Sequence, residues 1–275
     1  MDIAKFSVLI SVYKTENPEV LRRALLSIWE DQTLKPDEIV CVLDGPLPVM
    51  LRAEVIAAAK RIGDRFIVHE LIKNVGLGEA LSIGLQICSN DLVARMDTDD
   101  ISHSNRFATQ VKMFCGDKKL GVLGSVAREF SSNEEITDSI RMVPEKHRDI
   151  AKMAKFRNPM NHPSVMYRKS QVLLVGGPKR FVGFDDYYLW ARMIQNGSKF
   201  QNVMTPLVSL RAGNDLMIRR SGNQYIRQEI KFQRTLREMG FLNNIQFLMN
   251  LVIRVVPRML PLKIQHQLYL KVLRK

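Results

Sequence analysis

The run FSVLISV at 6–12 is apolar, rich in β-branched residues and short, the pattern of a strand buried on both faces. An amphipathic stretch from Pro18 to Asp31 follows it, so the chain opens with a strand-then-helix unit. The pattern repeats three times. EIVCVL at 38–43 precedes a helical stretch near 49–62, FIVHEL at 66–71 one near 77–88, and DLVARM at 91–96 one near 103–115. Four such units predict an α/β fold with a mostly parallel sheet and helices on both faces. The regularity then fades. GVLGSV at 121–126 reads as a fifth strand, 127–146 is polar and irregular, SVMY at 164–167 reads as a strand, and Asp185 to Gln195 reads as a helix.

A chain of 275 residues with 46% hydrophobic content can bury a full core, which excludes disordered and fibrous classes. Cys41, Cys88 and Cys115 are odd in number and far apart, giving neither a disulfide framework nor a zinc spacing, and all three lie in apolar runs that read as core. The opening MDIAKFSVLISVYK carries an acid at Asp2 and too short an apolar run for a signal peptide or anchor. A cytoplasmic protein is expected. The formal charge of +13 calls for an anionic partner: nucleic acid, a phosphorylated substrate or acidic lipid.

Open parallel sheets bind ligands at the carboxyl ends of their strands. The residues at those ends are Tyr13 and Glu16, Asp44, Asn74 with Gly76, and the cluster from Asp97 to Asp100. In ARMDTDD, Asp97 and Asp99 are two apart on an extended chain and can converge. Such a pair repels unless a cation sits between, and Mg²⁺ or Mn²⁺ is commonly held by one or two carboxylates plus substrate phosphates. An acidic turn capping the next helix is the competing reading. Asp185 and Asp186 in GFDDYYLWARM likewise read either as two helix-starting acids or as a cap plus a base, with Tyr187, Tyr188 and Trp190 nearby.

Taken in order, SVLISVYKTE, Asp44, NVGLGEAL, ARMDTDD, NHPSVMYRK and GFDDYYLWAR resemble the family 2 glycosyltransferases of the GT-A fold, especially small bacterial enzymes of O-antigen and exopolysaccharide assembly. The resemblance runs from about Phe6 to Gly222. It implies a GT-A domain over 1–222, with a nucleotide-sugar half over about 1–126 and an acceptor half over about 127–222. It also implies a UDP-sugar donor, with Tyr13 against the uracil, Glu16 and Asp44 accepting from ribose and base, and Asn74, Gly76, Arg95 and Thr98 around the nucleotide-sugar. By the same resemblance Asp97, Thr98 and Asp99 form the DXD motif, with Asp97 and Asp99 at the metal, and Asp186 is the general base beside Asp185. Many relatives have Glu-Asp where this chain has Asp185-Asp186. His162, Trp190, Arg219 and Arg220 are candidates for contact with acceptor or diphosphate.

Two enzyme classes and one binding class compete. A dinucleotide fingerprint in NVGLGEAL fails because Leu81 stands where the third glycine belongs. A sugar nucleotidyltransferase needs a Gly-rich phosphate loop after the first strand, and SVYKTENP has none. A nucleic-acid-binding protein is suggested by charge alone, without a motif, so no nucleic-acid partner is expected.

The region 223–275 reads as helical and basic, for no Asp or Glu follows Glu238 while Arg254, Arg258, Lys263, Lys271, Arg274 and Lys275 do. FLNNIQFLMNLVIRVV at 241–256 carries Asn243, Gln246, Asn250 and Arg254 as a narrow polar stripe, is too short to span a bilayer, and is expected to end at Pro257. It lies in a membrane interface or packs on the body. Lys263, Gln267, Lys271 and Arg274 share a helical sector opposite Leu268, Tyr269, Val272 and Leu273, an amphipathic tail suited to an anionic membrane surface. With the lipid-linked saccharide acceptors of the resembling family, this predicts a peripheral protein on the inner face of the cell membrane.

Overall fold

The computed structural model describes residues 4–131, 133–211 and 222–259. β1 (Phe6–Val12), β2 (Glu38–Leu43), β3 (Phe66–Glu70) and β4 (Leu92–Met96) alternate with α1 (Pro18–Ile28), α2 (Val49–Ile62), α3 (Leu77–Ile87) and α4 (Arg106–Gly116), the last preceded by a short β5 (Ile101–Ser102). β1 lies centrally, parallel to both β2 and β4, with Leu9 opposite Val40 on one side and Arg95 on the other. The sheet order is β3-β2-β1-β4-β8-β6-β9-β5, where β6 is Leu120–Phe130, β8 Met166–Arg168 and β9 Lys199–Arg211, and β7 (Ser139–Arg141) hangs on β6.

Because side chains alternate across a strand, β1 feeds two cores. Phe6, Val8, Ile10 and Val12 join α1, α2 and α4 on one face, while Leu9 joins Val40, Val42, α3 and Trp190 on the other. β1 and β2 are buried along their whole length, which is why their sequences are continuous apolar runs. α1 starts at a true cap: Asn17 Oδ1 accepts from the N–H groups of Glu19 (2.9 Å) and Val20 (3.2 Å), with Pro18 at the first turn.

Beyond β4 the sheet turns mixed. β8 is antiparallel to β4 and β6, and β6 runs parallel to β9. The stretch read as irregular is in fact the end of β6 plus β7, and β9 went unforeseen. The helix over Asp185–Gln195 stands as predicted and is α7, after α5 (His147–Met153) and α6 (Lys169–Leu174).

α8 (Gly222–Glu238) and α9 (Asn244–Met259) close the described chain against α7. Their shared core centres on Phe232, whose ring stacks on Phe184 at 4.5 Å between centroids and 12° between planes. Of the two alternatives for 241–256, packing on the body is the one observed, with Asn250 and Arg254 of the polar stripe packing beside Phe247 and Val255 while Asn243 stays exposed. Asn250 is buried, its Nδ2 donating to Lys155 O and Gln233 Oε1, both at 2.8 Å. Pro257 does not end the helix, which continues to Met259; so near the end the missing N–H costs one bond. No helix among the described residues is long and apolar enough to cross a membrane. The amphipathic tail beyond 259 lies outside the described residues.

Cysteine placement needs one correction. Cys41 and Cys88 are buried as expected, but Cys115 is exposed, because it falls on the outer side of the last turn of α4.

Candidate active site

The carboxyl ends of β3, β2, β1 and β4 stand side by side and carry the predicted residues in that order. At the outer end, Asp44 is buried and its Oδ1 accepts from Val75 N (2.7 Å), while Oδ2 accepts from Asn74 Nδ2 (2.6 Å) and Gly76 N (3.0 Å). Asp44 thereby fixes the loop that leads into α3, a positioning task the sequence reading did not assign. Gly76 caps α3 with φ +91°, a conformation that side chains rarely adopt.

Glu16 follows β1 and hydrogen-bonds Thr98, so the first strand end meets ARMDTDD directly. Loss of hydration raises the Glu16 carboxyl above its usual range, and the charges of Asp99 and Asp97 add to the rise against the Thr98 bond. Tyr13 is half-buried beside Glu16, whose backbone N–H donates to Tyr13 O at 3.1 Å.

Asp97 receives a charge-assisted bond from Arg95 Nη2, and Arg95 is itself buried. Arg95 Nε and Nη1 find no partner among the described residues. Asp99 is exposed at the rim, and its carboxyl is raised by desolvation first and by Asp97 second. Asp100 points inward. It is buried, accepts Arg211 N at 2.9 Å, and so ties the end of β9 to the acidic turn; desolvation, Asp97 and Asp99 hold its carboxyl well above the usual range. Helix capping is not what these acids do, since α4 begins at Asn105 with no side-chain cap bond.

Behind the acids lies Arg106, wholly buried, with Nη2 donating to Arg95 O at 2.6 Å. Burial, then the Arg95 charge, pulls its guanidinium down to about 9. Arg106 was not singled out from the sequence. Its signal was an Arg and a Gln at 106 and 110 on the same helical face as Phe107, Val111 and Phe114.

α7 brings the second acidic pair. Asp185 Oδ1 accepts Phe181 N at 2.8 Å, and desolvation raises its carboxyl. Gly78 permits this approach, for a Cβ there would lie 2.6 Å from Asp185 Oδ1. Asp186 is half-buried, and its Oδ2 accepts Asn158 Nδ2 at 2.6 Å. Neither acid is the N-cap, which is Phe184. Asn158 is a second residue missed in the sequence, where NPMN reads only as a turn.

His162 is half-buried. Burial first and the Arg95 charge second push its imidazole below the usual value, against the opposing charges of Asp186 and Asp97. Its ring meets Trp190 edge-on at 6.1 Å. Trp190 itself needs correction as a contact residue. Its side chain has no exposed surface, and it packs on Tyr167, Phe200 and His162, so it supports the site from within. Arg219 and Arg220 lie outside the described residues.

For a divalent cation, the fitting pair is Asp97 with Asp99: hard oxygen donors whose mutual repulsion already raises Asp99. Among the described residues there is no group of three or more His, Cys, Asp and Glu that could hold a metal ion.

The geometry has close parallels among known proteins. The family model described as Glycosyl transferase family 2 matches residues 7–174. The chain is 36% identical over 269 residues to the amylovoran biosynthesis glycosyltransferase AmsE of Erwinia amylovora, covering 97% of this chain and 98% of that one. It is 33% identical over 274 residues to the UDP-Gal:alpha-D-GlcNAc-diphosphoundecaprenol beta-1,3-galactosyltransferase of Escherichia coli, covering 100% and 98%. Among solved structures, the Pyrobaculum calidifontis mannosyltransferase PcManGT in complex with GDP-Man and Mn²⁺ superposes with TM-score 0.59 at 17% identity, over 84% of this chain and 61% of that one. S. aureus TarS 1-349 in complex with UDP-GlcNAc superposes with TM-score 0.64 at 14% identity, over 83% and 65%. This chain thus spans less than two thirds of either structure, and the likeness is one of fold, the mixed α/β GT-A sheet. On the family match and the two full-length relatives, the chain belongs to glycosyl transferase family 2 and is a glycosyltransferase.

Proposed function

We propose that the chain moves a hexose or N-acetylhexosamine from a UDP-sugar to a saccharide carried on a lipid diphosphate, with inversion, in bacterial surface polysaccharide synthesis. The observation that carries this reading is the row of neighbouring strand ends that sets Asp44, Glu16 and the Asp97–Asp99 pair side by side, in a chain that matches the glycosyltransferase family model. The names of the Erwinia and Escherichia relatives support the pathway, and the second supports the donor and acceptor classes.

In this reading Tyr13 lies along the uracil, Asn74 and Gly76 line the nucleotide pocket that Asp44 holds in shape, and Glu16, Thr98 and Arg95 surround the ribose and diphosphate. Asp97 and Asp99 would hold Mn²⁺ or Mg²⁺, and such an ion would supply positive charge to the diphosphate. Asp186, oriented by Asn158, takes the proton of the acceptor hydroxyl; that oxygen bonds to the anomeric carbon as the bond to UDP breaks. Asp185 holds the loop before α7, and His162 borders donor and acceptor. Arg219 and Arg220 are kept as candidate diphosphate contacts. The reaction takes place on the cytoplasmic face of the membrane, where a lipid-linked acceptor presents its sugar. No observation favours the nucleotidyltransferase reading, since residues 13–17 contain no glycine.

The test is a donor screen. UDP-, GDP- and dTDP-sugars are offered with a lipid-diphosphate-sugar acceptor while nucleotide release is followed. Acceptor-stimulated release from a UDP-sugar supports the reading; release from GDP- or dTDP-sugars alone sinks the donor assignment.

A further inference from the structure

α9 turns a mixed face to the body, with Asn250 and Arg254 beside Phe247 and Val255, and leaves a second, apolar face outward. Arg254 Nε and Nη2 donate to Glu229 Oε1 (2.6 Å) and Oε2 (3.1 Å), and Nη1 to Phe156 O (2.9 Å), with Glu229 fully buried. Asn250 makes the two buried bonds already described. Ile245, Leu248, Met249, Val252, Ile253 and Val256 face outward, between 46% and 70% exposed. Their spacing of three and four residues makes one continuous apolar stripe.

The helix cannot roll this stripe inward. Doing so would separate Glu229 from Arg254, and breaking a buried ion pair is strongly destabilising. A contiguous apolar stripe locked outward marks an interaction surface.

We propose that the outward face of α9 is the surface by which the protein enters an anionic bilayer, lying along the interface. This rests on the membrane-side acceptor of the proposed function for its partner, and goes beyond it by naming the face. Charge selects the partner. No acid follows Glu238, and the stripe is followed by Arg258, Lys263, Lys271, Arg274 and Lys275 in sequence. On the adjoining α8, Arg237 is exposed and stacks over the ring of Phe247 at 4.7 Å to its centroid, which sets a cation beside α9. A second copy would set this cation and the basic residues that follow against their equals, whereas acidic headgroups neutralise them while the stripe enters the acyl boundary. At 16 residues α9 is about 24 Å long at 1.5 Å per residue, short for a span and sufficient for an in-plane contact.

The experiment uses the full chain and a triple variant, Leu248→Gln, Val252→Gln and Ile253→Gln, at exposed positions where the fold does not depend on the side chain. Co-sedimentation with neutral phosphatidylcholine vesicles and with vesicles containing phosphatidylglycerol is measured, beside thermal melting and sedimentation velocity. Binding of the wild type to anionic vesicles, weakened at least tenfold in the triple variant at unchanged melting temperature, is the expected result. Equal binding by both proteins overturns the proposal, because the tail beyond 259 then suffices. So does a wild type that ignores vesicles, and so does a variant that converts a dimer to a monomer, which makes a second copy the occupant. UDP release from the donor in detergent-free buffer is scored separately. A wild type that releases UDP but does not bind vesicles defeats this proposal alone, and a wild type that binds vesicles without release defeats the proposed donor alone.

Discussion

Asn158 Nδ2 donates to Asp186 Oδ2 at 2.6 Å, across a sequence separation that brings the turn before β8 to the first turn of α7. Asp186 Oδ1 also accepts Tyr187 N at 2.8 Å, while Asp185 one residue earlier accepts Phe181 N at 2.8 Å, and both acids are half-buried. What separates the two adjacent acids is the side-chain partner Asn158, which only Asp186 has among the bonds described.

Asp186→Asn is expected to lower kcat by roughly 10²-fold or more with little change in UDP affinity, the usual scale for a general base. Asn158→Ala should lower kcat by about 10-fold through loss of one bond to a charged group. Asp185→Asn should act more weakly on kcat and more on thermal stability. Steady-state kinetics with a soluble acceptor analogue ranks the three, and an order with Asp185 first would move the base by one residue.

Activity should require Mn²⁺ or Mg²⁺, vanish in excess chelator and vanish in Asp99→Ala with the circular dichroism spectrum unchanged. Arg95 acts on Asp97 from behind, so Arg95→Met is expected to weaken metal-dependent activity by roughly 10- to 100-fold, the scale for groups that orient metal ligands. Titrating Mn²⁺ into protein with UDP measures both effects, and full turnover in chelator would contradict the assignment.

The first four strand-helix units were legible because strands buried on both faces are short, mainly apolar runs, and the few polar residues of FSVLISV and EIVCVL, Ser7, Ser11 and Glu38, are themselves buried. β9 was not. Its sequence KFQNVMTPLVSLR includes Pro206, and its pairing with β6 slips register between Ser125 and Ala127, so no period of two survives along it. In the site, Asp97, Asp99, Asp186 and His162 stood out because their residue types are the chemistry. Asn158, Asp100 and Arg106 did not, because each acts through a partner more than ten places distant in sequence or through a backbone atom, and that juxtaposition exists only after folding. Trp190 was misread for the opposite reason: an aromatic residue beside the acids is near the site in sequence, yet its ring belongs to the core.

Removing either partner of the Glu229–Arg254 pair should cost about 3–5 kcal/mol, the scale for breaking a buried ion pair. Urea unfolding of Glu229→Gln and Arg254→Met measures it. Replacing both at once by Leu and Met should restore much of the loss, and two independent small effects that simply add would show that the pair is not coupled.

Thiol chemistry should separate the three cysteines. Burial pushes the Cys41 thiol up to about 12, and burial followed by the Glu38 charge does the same for Cys88, so neither forms thiolate at pH 8. Only Cys115 should react promptly with Ellman's reagent in the folded protein, with the other two appearing on denaturation. Prompt labelling of more than one thiol would contradict the packing of β2 and of the segment after α3.

The central claim is that one cleft couples UDP-sugar cleavage, at Asp97 and Asp99, to deprotonation of an acceptor hydroxyl by Asp186. Its most direct measurement is UDP release from the accepted donor, with and without a lipid-diphosphate-linked N-acetylhexosamine acceptor, in wild type and Asp186→Asn, in Mn²⁺. The account predicts strong stimulation by acceptor in the wild type, loss of that stimulation in Asp186→Asn with donor binding retained, and a product of inverted anomeric configuration. Unimpaired acceptor-stimulated release in Asp186→Asn, or a product that retains configuration, would contradict it.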